Sequence, residues 1–264
     1  MCYDPSRRMQ IVSINLQKRL FSRGDPVQRW LDGLACDLLA VQEPWGRARV
    51  QPVRLQGYRL VGGNSSICCW LASRYQLPCR ARLKDSWECV DCQYFSLYNV
   101  YLPEKSKTAR ADILRDLRCD VIKRGNHPVI IVGDFNLAPE PEDGLYGDRI
   151  SKWTGKAERT ALKELLSEAH LIDMTSMERV GRREFTFERV RNGLKSAFRC
   201  DLALVSESVA SFTAVRYDHR VRVPPMAFTD HSSTIVEIPV GHLHERKPLG
   251  SLKPIVAAGK HARC

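Results

Sequence analysis

The chain has 264 residues, 44% of them hydrophobic, which suffices for a substantial core and is read as one domain over residues 1–240. Its net charge of +11 implies a long-range attraction to nucleic acid or anionic lipid headgroups. The longest apolar runs, such as Leu38 to Val41, are far too short to span a bilayer, and Met1 to Gln10 holds no signal-peptide core, so an intracellular location, the nucleus included, is expected over secretion or membrane insertion.

Met9 to Ile14 alternates apolar and polar residues and predicts a strand that stops at Asn15. Asp25-Pro26 predicts a helix N-cap followed by proline at the first helical position, with Trp30, Leu31 and Leu34 as the buried stripe. Leu38 to Gln42 is a short apolar strand that delivers Glu43. Further strands are expected near Tyr58 to Val61, Ser66 to Ala72 and Tyr94 to Tyr101, the last delivering Tyr101 just before Pro103. A helix is predicted from Ala109 to Lys123, with Ile113, Leu114, Leu117 and Val121 on one side.

The run Val129 to Asn136 (VIIVGDFN) is the most informative in the chain. Four apolar residues, then Gly133, then Asp134 and Asn136 describe a buried strand emptying into a polar site, where Gly133 lets the backbone turn closely. Alternate strand residues share a face, so both polar side chains should enter one cleft. By itself GDxN also fits a turn capped by Asp134. Glu158 to Leu171 repeats the helical period with Leu162, Leu165, Leu166 and Ala169, and Phe185 to Phe187, Cys200 to Val205 and Thr234 to Ile238 read as later strands. Residues 241–264 have little apolar periodicity and read as a basic tail or linker.

Between Arg179 and Arg199 seven basic residues, Arg182, Arg183 and Arg189 among them, stand against Glu184 and Glu188, with Phe185, Phe187 and Phe198 interleaved. That composition predicts a phosphate-backbone surface with stacking groups, in which Arg182, Arg183, Arg189 and Phe198 bind DNA. The same pattern also fits a solvated hairpin whose phenylalanines face the core. The ten cysteines are scattered through apparent strands and helices, and the single CxxC, Cys89 to Cys92, has no second pair, so reduced core thiols are expected in place of disulfides or zinc.

Polar residues recur at strand ends: Asn15, Glu43, Tyr101, Asp134 with Asn136, Asp201, and Asp230 with His231. In this order and spacing they resemble the endonuclease/exonuclease/phosphatase superfamily, which includes exonuclease III, AP endonucleases, DNase I, inositol polyphosphate phosphatases and non-LTR retrotransposon endonucleases. The resemblance covers about Ile11 to Ile238. It implies an α/β fold, a four-layer DNase I-like sandwich of two packed mixed β-sheets flanked by helices, with the active site at one end.

It also implies roles. Glu43, in Val41-Gln42-Glu43-Pro44, matches a metal-binding glutamate whose oxygen suits Mg²⁺, with Mn²⁺ as a substitute. Asn15 matches the asparagine that supports the metal, and Asp230 a last-strand carboxylate near it. Asp134 matches the aspartate that positions or deprotonates the attacking water, Asn136 the amide that orients it, and Tyr101 the donor to a phosphate oxygen. His231 matches the histidine bonded to the scissile phosphate, and Asp201 the aspartate that orients it. Taken alone, His231 reads as a satisfied loop histidine and Asp201 as a salt-bridge partner of Arg199.

Three positions depart from the pattern: Gln17 stands where many members have Asp, Trp45 where AP endonucleases have Lys, and Glu104 where DNA-cleaving members often have Asn. Local flavour at Gln42 to Trp45, Asn99 to Pro103 and Thr229 to Ser233 looks most like a retrotransposon endonuclease, a Mg²⁺-dependent phosphodiesterase that nicks one strand of duplex DNA. Phe185 to Phe187 and Phe198 to Asp201 also resemble the AP endonuclease grip on an abasic sugar. A lipid or inositol phosphatase is the other enzymatic reading, against which the Trp-Cys-Asp-Arg run of the 5-phosphatases is missing. A catalytically silent DNA-binding module is the non-enzymatic one.

Overall fold

A computed structural model describes residues 8–18, 24–34, 36–45, 55–73, 79–176 and 184–239. Arg182, Arg183 and the 241–264 tail lie outside them. The strands are β1 (Arg8–Asn15), β2 (Leu38–Gln42), β3 (Tyr58–Gly63), β4 (Ile67–Ala72), β5 (Arg80–Leu83), β6 (Trp87–Asp91), β7 (Ser96–Tyr101), β8 (Val129–Asp134), β9 (Gly144–Tyr146), β10 (Arg149–Ile150), β11 (Leu171–Asp173), β12 (Phe187–Arg191), β13 (Leu194–Phe198), β14 (Asp201–Ser206), β15 (Ala214–Asp218) and β16 (Ser233–Pro239). The longer helices are α1 (Gly24–Asp32), α2 (Lys107–Ile122) and α3 (Lys156–Glu168).

Two six-stranded sheets run in the orders β15-β16-β1-β2-β4-β3 and β11-β14-β8-β7-β6-β5, and a four-stranded sheet in the order β10-β9-β13-β12. Both large sheets are mixed: β1 with β2 and β7 with β8 are parallel, and their other pairs antiparallel. Strand periodicity builds the layers. In β1, Ile11 joins the core between the large sheets while Val12 faces α1 beside Trp30 and Leu31. In β8, Ile130 and Val132 face the inter-sheet core, and Val129 and Ile131 face α2 and α3. Strands covered on both faces read as unbroken apolar runs, which is why VIIV does not alternate. The result is an α/β sandwich with helices outside two packed sheets.

Boundaries moved where capping or long-range pairing decides them. Helix α2 starts at Lys107 because the Ser106 hydroxyl caps it, accepting from the Ala109 N–H at 3.2 Å. Helix α3 stops at Glu168, since Leu171 already pairs with Ser206 as a strand. Phe185 and Thr186 are not strand residues; the strand opens at Phe187. The small sheet, β5, β6, β11 and β15 were not foreseen.

No disulfide joins the eight cysteines of the described residues, and all but Cys119 are buried. Cys89 and Cys92 sit in different apolar clusters on opposite faces, so the CxxC does not converge on one site. No described helix is long and apolar enough to cross a membrane.

Candidate active site

Strands β1, β2, β7 and β8 end on one side of the sandwich, where antiparallel β14 begins and the segment before β16 arrives. Asn15, Glu43, Tyr101, Asp134, Asp201 and His231 are thereby gathered from positions up to 216 residues apart, as the strand-end pattern predicts. Gly133 makes the approach of β8 to β7 feasible: its φ is +144°, and a Cβ there would collide with the Val100 carbonyl.

Two hydrogen-bonded groups meet at this end. In the first, the Tyr101 hydroxyl donates to Glu43 Oε1 at 2.7 Å, and Asn15 Nδ2 spans Glu43 Oε1 at 3.4 Å and Asp134 Oδ2 at 2.8 Å. The Asn15 amide oxygen is occupied by the Gln17 N–H at 2.8 Å, so Asn15 bridges two carboxylates. Asp134 also accepts from the Asn136 N–H at 2.8 Å and Asn136 Nδ2 at 3.2 Å. Glu43 and Asn136 hold left-handed backbones, φ +46° and +47°, which aim their side chains back at the strand ends.

In the second group, His231 Nδ1 lies 3.0 Å from Asp201 Oδ2, while Nε2 lies 3.9 Å from Asp134 and 3.7 Å from Asp230. Thr186 supports the pair from below: its hydroxyl accepts from the Asp201 N–H at 3.1 Å and its carbonyl from the Ser232 N–H at 2.7 Å. The Phe187 ring covers His231, centroids 5.1 Å apart.

Burial and charge set the protonation. Burial pushes the Asp134 carboxyl above the ordinary carboxylate range, opposed by His231. Burial would lower the His231 imidazole, but the carboxylates of Asp201 and Asp134 outweigh it and raise it to about 10. Burial, then the bond to Glu43, raises the Tyr101 phenol and keeps it a donor.

Asp134, Cys200, Asp201 and His231 offer possible metal-ligand atoms within 4.8 Å of one another. His231 is the cation of that cluster and the thiol is pushed up by burial, so the set is already charge-compensated. The oxygens at the cleft mouth suit a hard divalent cation better. Among the described residues, Glu43 Oε2 meets only the Lys18 ammonium, at 3.3 Å and on a side chain 60% exposed, and Gln17 Oε1 and Asp230 Oδ1 are buried acceptors without a hydrogen-bond donor. Orphaned acceptors of this kind fit a bound metal.

The site lies in a cleft of about 710 Å³ whose lining includes Gln17, Glu104, Asn136, Tyr146, Trp153, Arg189, Arg191, Phe198 and His231. The small sheet forms one wall. It brings Arg189, Arg191 and Phe198 of the basic segment to the cleft and adds Tyr146. Phe187 and Phe198 lie 6.3 Å apart, centre to centre.

Arg199, counted with the basic surface, is instead 3% exposed and bound to Asp143 at 2.7 Å and Asp173 at 2.8 Å. Those two carboxylates, not Asp201, neutralise it. Trp45 packs edge-on against Trp70 in the core beside the site. Sequence reasoning missed Tyr146, Trp153 and Thr186, which no local period marks.

The sequence profile of the Endonuclease/Exonuclease/phosphatase family matches residues 12–231. Similar solved structures include an AP endonuclease from Archaeoglobus fulgidus, 21% identical over 87% of this chain and 99% of that one, with TM-score 0.72. A 3′ phosphatase from Neisseria, bound to a product DNA hairpin, is also 21% identical over 87% and 99%, at 0.69. The endonuclease domain of TRAS1, a telomere-specific non-LTR retrotransposon, is 15% identical over 87% and 98%, at 0.65. No curated protein sequence matches significantly. At these identities the structural likeness speaks for the fold.

Proposed function

Because the chain belongs to the endonuclease/exonuclease/phosphatase family, we propose that it is a divalent-metal-dependent phosphodiesterase of DNA, an endonuclease that nicks one strand of a duplex. The observation that carries this reading is a single cleft holding both the acid-imidazole cluster and the arginines Arg189 and Arg191 of an exposed strand. Phosphate cleavage and backbone binding are then supplied side by side.

Glu43 and Asp230 would hold Mg²⁺ or Mn²⁺, with Asn15 orienting Glu43. The bound ion would neutralise phosphate charge and acidify water. Asp134, raised by burial, is suited to take a proton from the attacking water, and Asn136 orients that water. His231, held as an imidazolium by Asp201, presents Nε2–H to a phosphate oxygen, and Tyr101 donates a second hydrogen bond. Glu104 adds negative charge at the cleft edge, which disfavours close approach of a second phosphate there.

The Phe187–Phe198 pair beside His231 favours one second reading, an AP endonuclease whose apolar pocket takes a baseless sugar. Initial rates on matched duplexes, with and without one abasic site, separate the two. A preference under about a thousandfold, roughly 4 kcal/mol in transition-state binding, supports the nicking endonuclease; a larger one assigns a repair enzyme. A phosphoinositide in a parallel reaction with Mg²⁺ tests the lipid phosphatase alternative. Hydrolysis of that lipid and not of DNA overturns the proposal.

A further inference from the structure

Trp153 is the exception among the five tryptophans of this chain. Trp30, Trp45, Trp70 and Trp87 are at most 6% exposed, whereas Trp153 is 38% exposed and lines the cleft. Its exposure does not come from looseness. The indole Nε1–H donates to the Asn136 carbonyl at 3.1 Å, and the Arg110 guanidinium lies 5.6 Å from the ring centroid. Arg110 is itself 1% exposed, paired with Glu158 and donating to the carbonyls of Pro103 at 2.9 Å and Glu104 at 2.6 Å. Glu158 also accepts from the Gly155 N–H. One buried cation therefore braces the indole, the 103–104 segment and the start of α3.

An aromatic ring fixed by edge and neighbour, with surface left open in a cleft, is a pre-organised stacking surface, because the entropy of ordering it is already spent in folding. Its place next to Asn136 puts that surface in the same cleft as Asp134 and His231. In an intact duplex each base face is covered by its neighbour, so a base that stacks on this ring is one outside the duplex stack.

We infer that Trp153 is a nucleotide-stacking platform that holds an unpaired base beside the scissile phosphate. The inference rests on the nucleic-acid reading of the cleft and adds a substrate feature to it: a frayed end, flap or extruded nucleotide next to the cut.

Acrylamide quenching of tryptophan fluorescence tests this on the full chain in EDTA, alongside anisotropy of a labelled single-stranded oligonucleotide and of a blunt duplex. Trp153 supplies most of the quenchable emission, since the other four tryptophans are buried. The single strand should protect it severalfold and the paired duplex much less. Trp153→Ala should weaken single-strand binding by roughly ten- to a hundredfold, and Trp153→Phe, which keeps a ring and controls for folding, by less than about threefold. Single-strand binding with unchanged quenching, equal protection by the paired duplex, or Trp153→Ala affinity within twofold of wild type would each overturn the inference while leaving the phosphodiesterase reading intact. If neither DNA binds even at low salt, both readings fall.

Discussion

Asp134 and Asp201 are register partners across β8 and β14, so two buried carboxylates reach the same sheet edge opposite each other, with His231 between them. Two like charges in so dry a place are tolerable only with a cation shared between them. His231 is that cation, and it still has Nε2 directed to the cleft side.

Asp134→Asn and His231→Ala are therefore expected to lower turnover by on the order of a hundredfold or more, because both groups act on charge that develops in the transition state. Oligonucleotide affinity should change little. Single-turnover nicking rates with parallel anisotropy titrations check this, and near-normal turnover in either variant removes that residue from the mechanism.

Glu43 carries the expected metal dependence. Excess EDTA should abolish hydrolysis, and Glu43→Ala should raise the Mg²⁺ concentration for half-maximal rate by roughly tenfold or more, since even indirect partners of a metal matter to that degree. Rate against metal concentration is the measurement; undiminished hydrolysis in EDTA would refute the assignment.

Replacing Arg189 and Arg191 with alanine should flatten the dependence of DNA affinity on salt by roughly two units of log–log slope, about one for each lost phosphate contact. Both arginines line the cleft, where the neighbouring carboxylate of Glu188 is already paired with Lys195 and Arg222. An unchanged slope would make the small sheet a solvated surface.

A fourth expectation concerns stability. Glu88 on β6 is fully buried between the sheets, and no N–H or O–H donor of the described residues reaches its carboxylate. Burial pushes it up to about 7, and the neighbouring titratable groups are the thiols of Cys69, which favours the charged form, and Cys68. A carboxyl raised on folding binds its proton more tightly in the native state. Its contribution is thus fully present below the unfolded value near 4.5 and is lost as pH rises through about 7. Between pH 4.5 and pH 8 the wild type should lose on the order of 1–3 kcal/mol relative to Glu88→Gln, read from denaturant unfolding of both proteins. Parallel pH profiles would show that Glu88 does not titrate in this range.

Strand ends were legible because a polar residue bounding an apolar run marks where the backbone leaves the core; Asp134 closes such a run and Asp201 opens one. Their order and spacing also carried the family, since chemistry at one sheet edge restricts which side chains stand there. Helix ends were less legible. Leu171 continues the apolar period of α3, and only its pairing with Ser206 makes it a strand residue.

The wall of the cleft could be decided only by the tertiary structure. Strands β9 and β10 are two or three residues long, too short for any period, and β9 exists because Tyr146, Leu145 and Gly144 find Ser196, Ala197 and Phe198 some fifty residues later. Arg199 looked like surface charge because sequence shows sign and not depth; Asp143 and Asp173, both distant in sequence, convert it to a buried strut. Trp153 drew no reading from sequence for the same reason. Local pattern determines which face of an element is apolar, but whether a large side chain is covered depends on what the rest of the chain leaves above it, and above Trp153 it leaves the cleft.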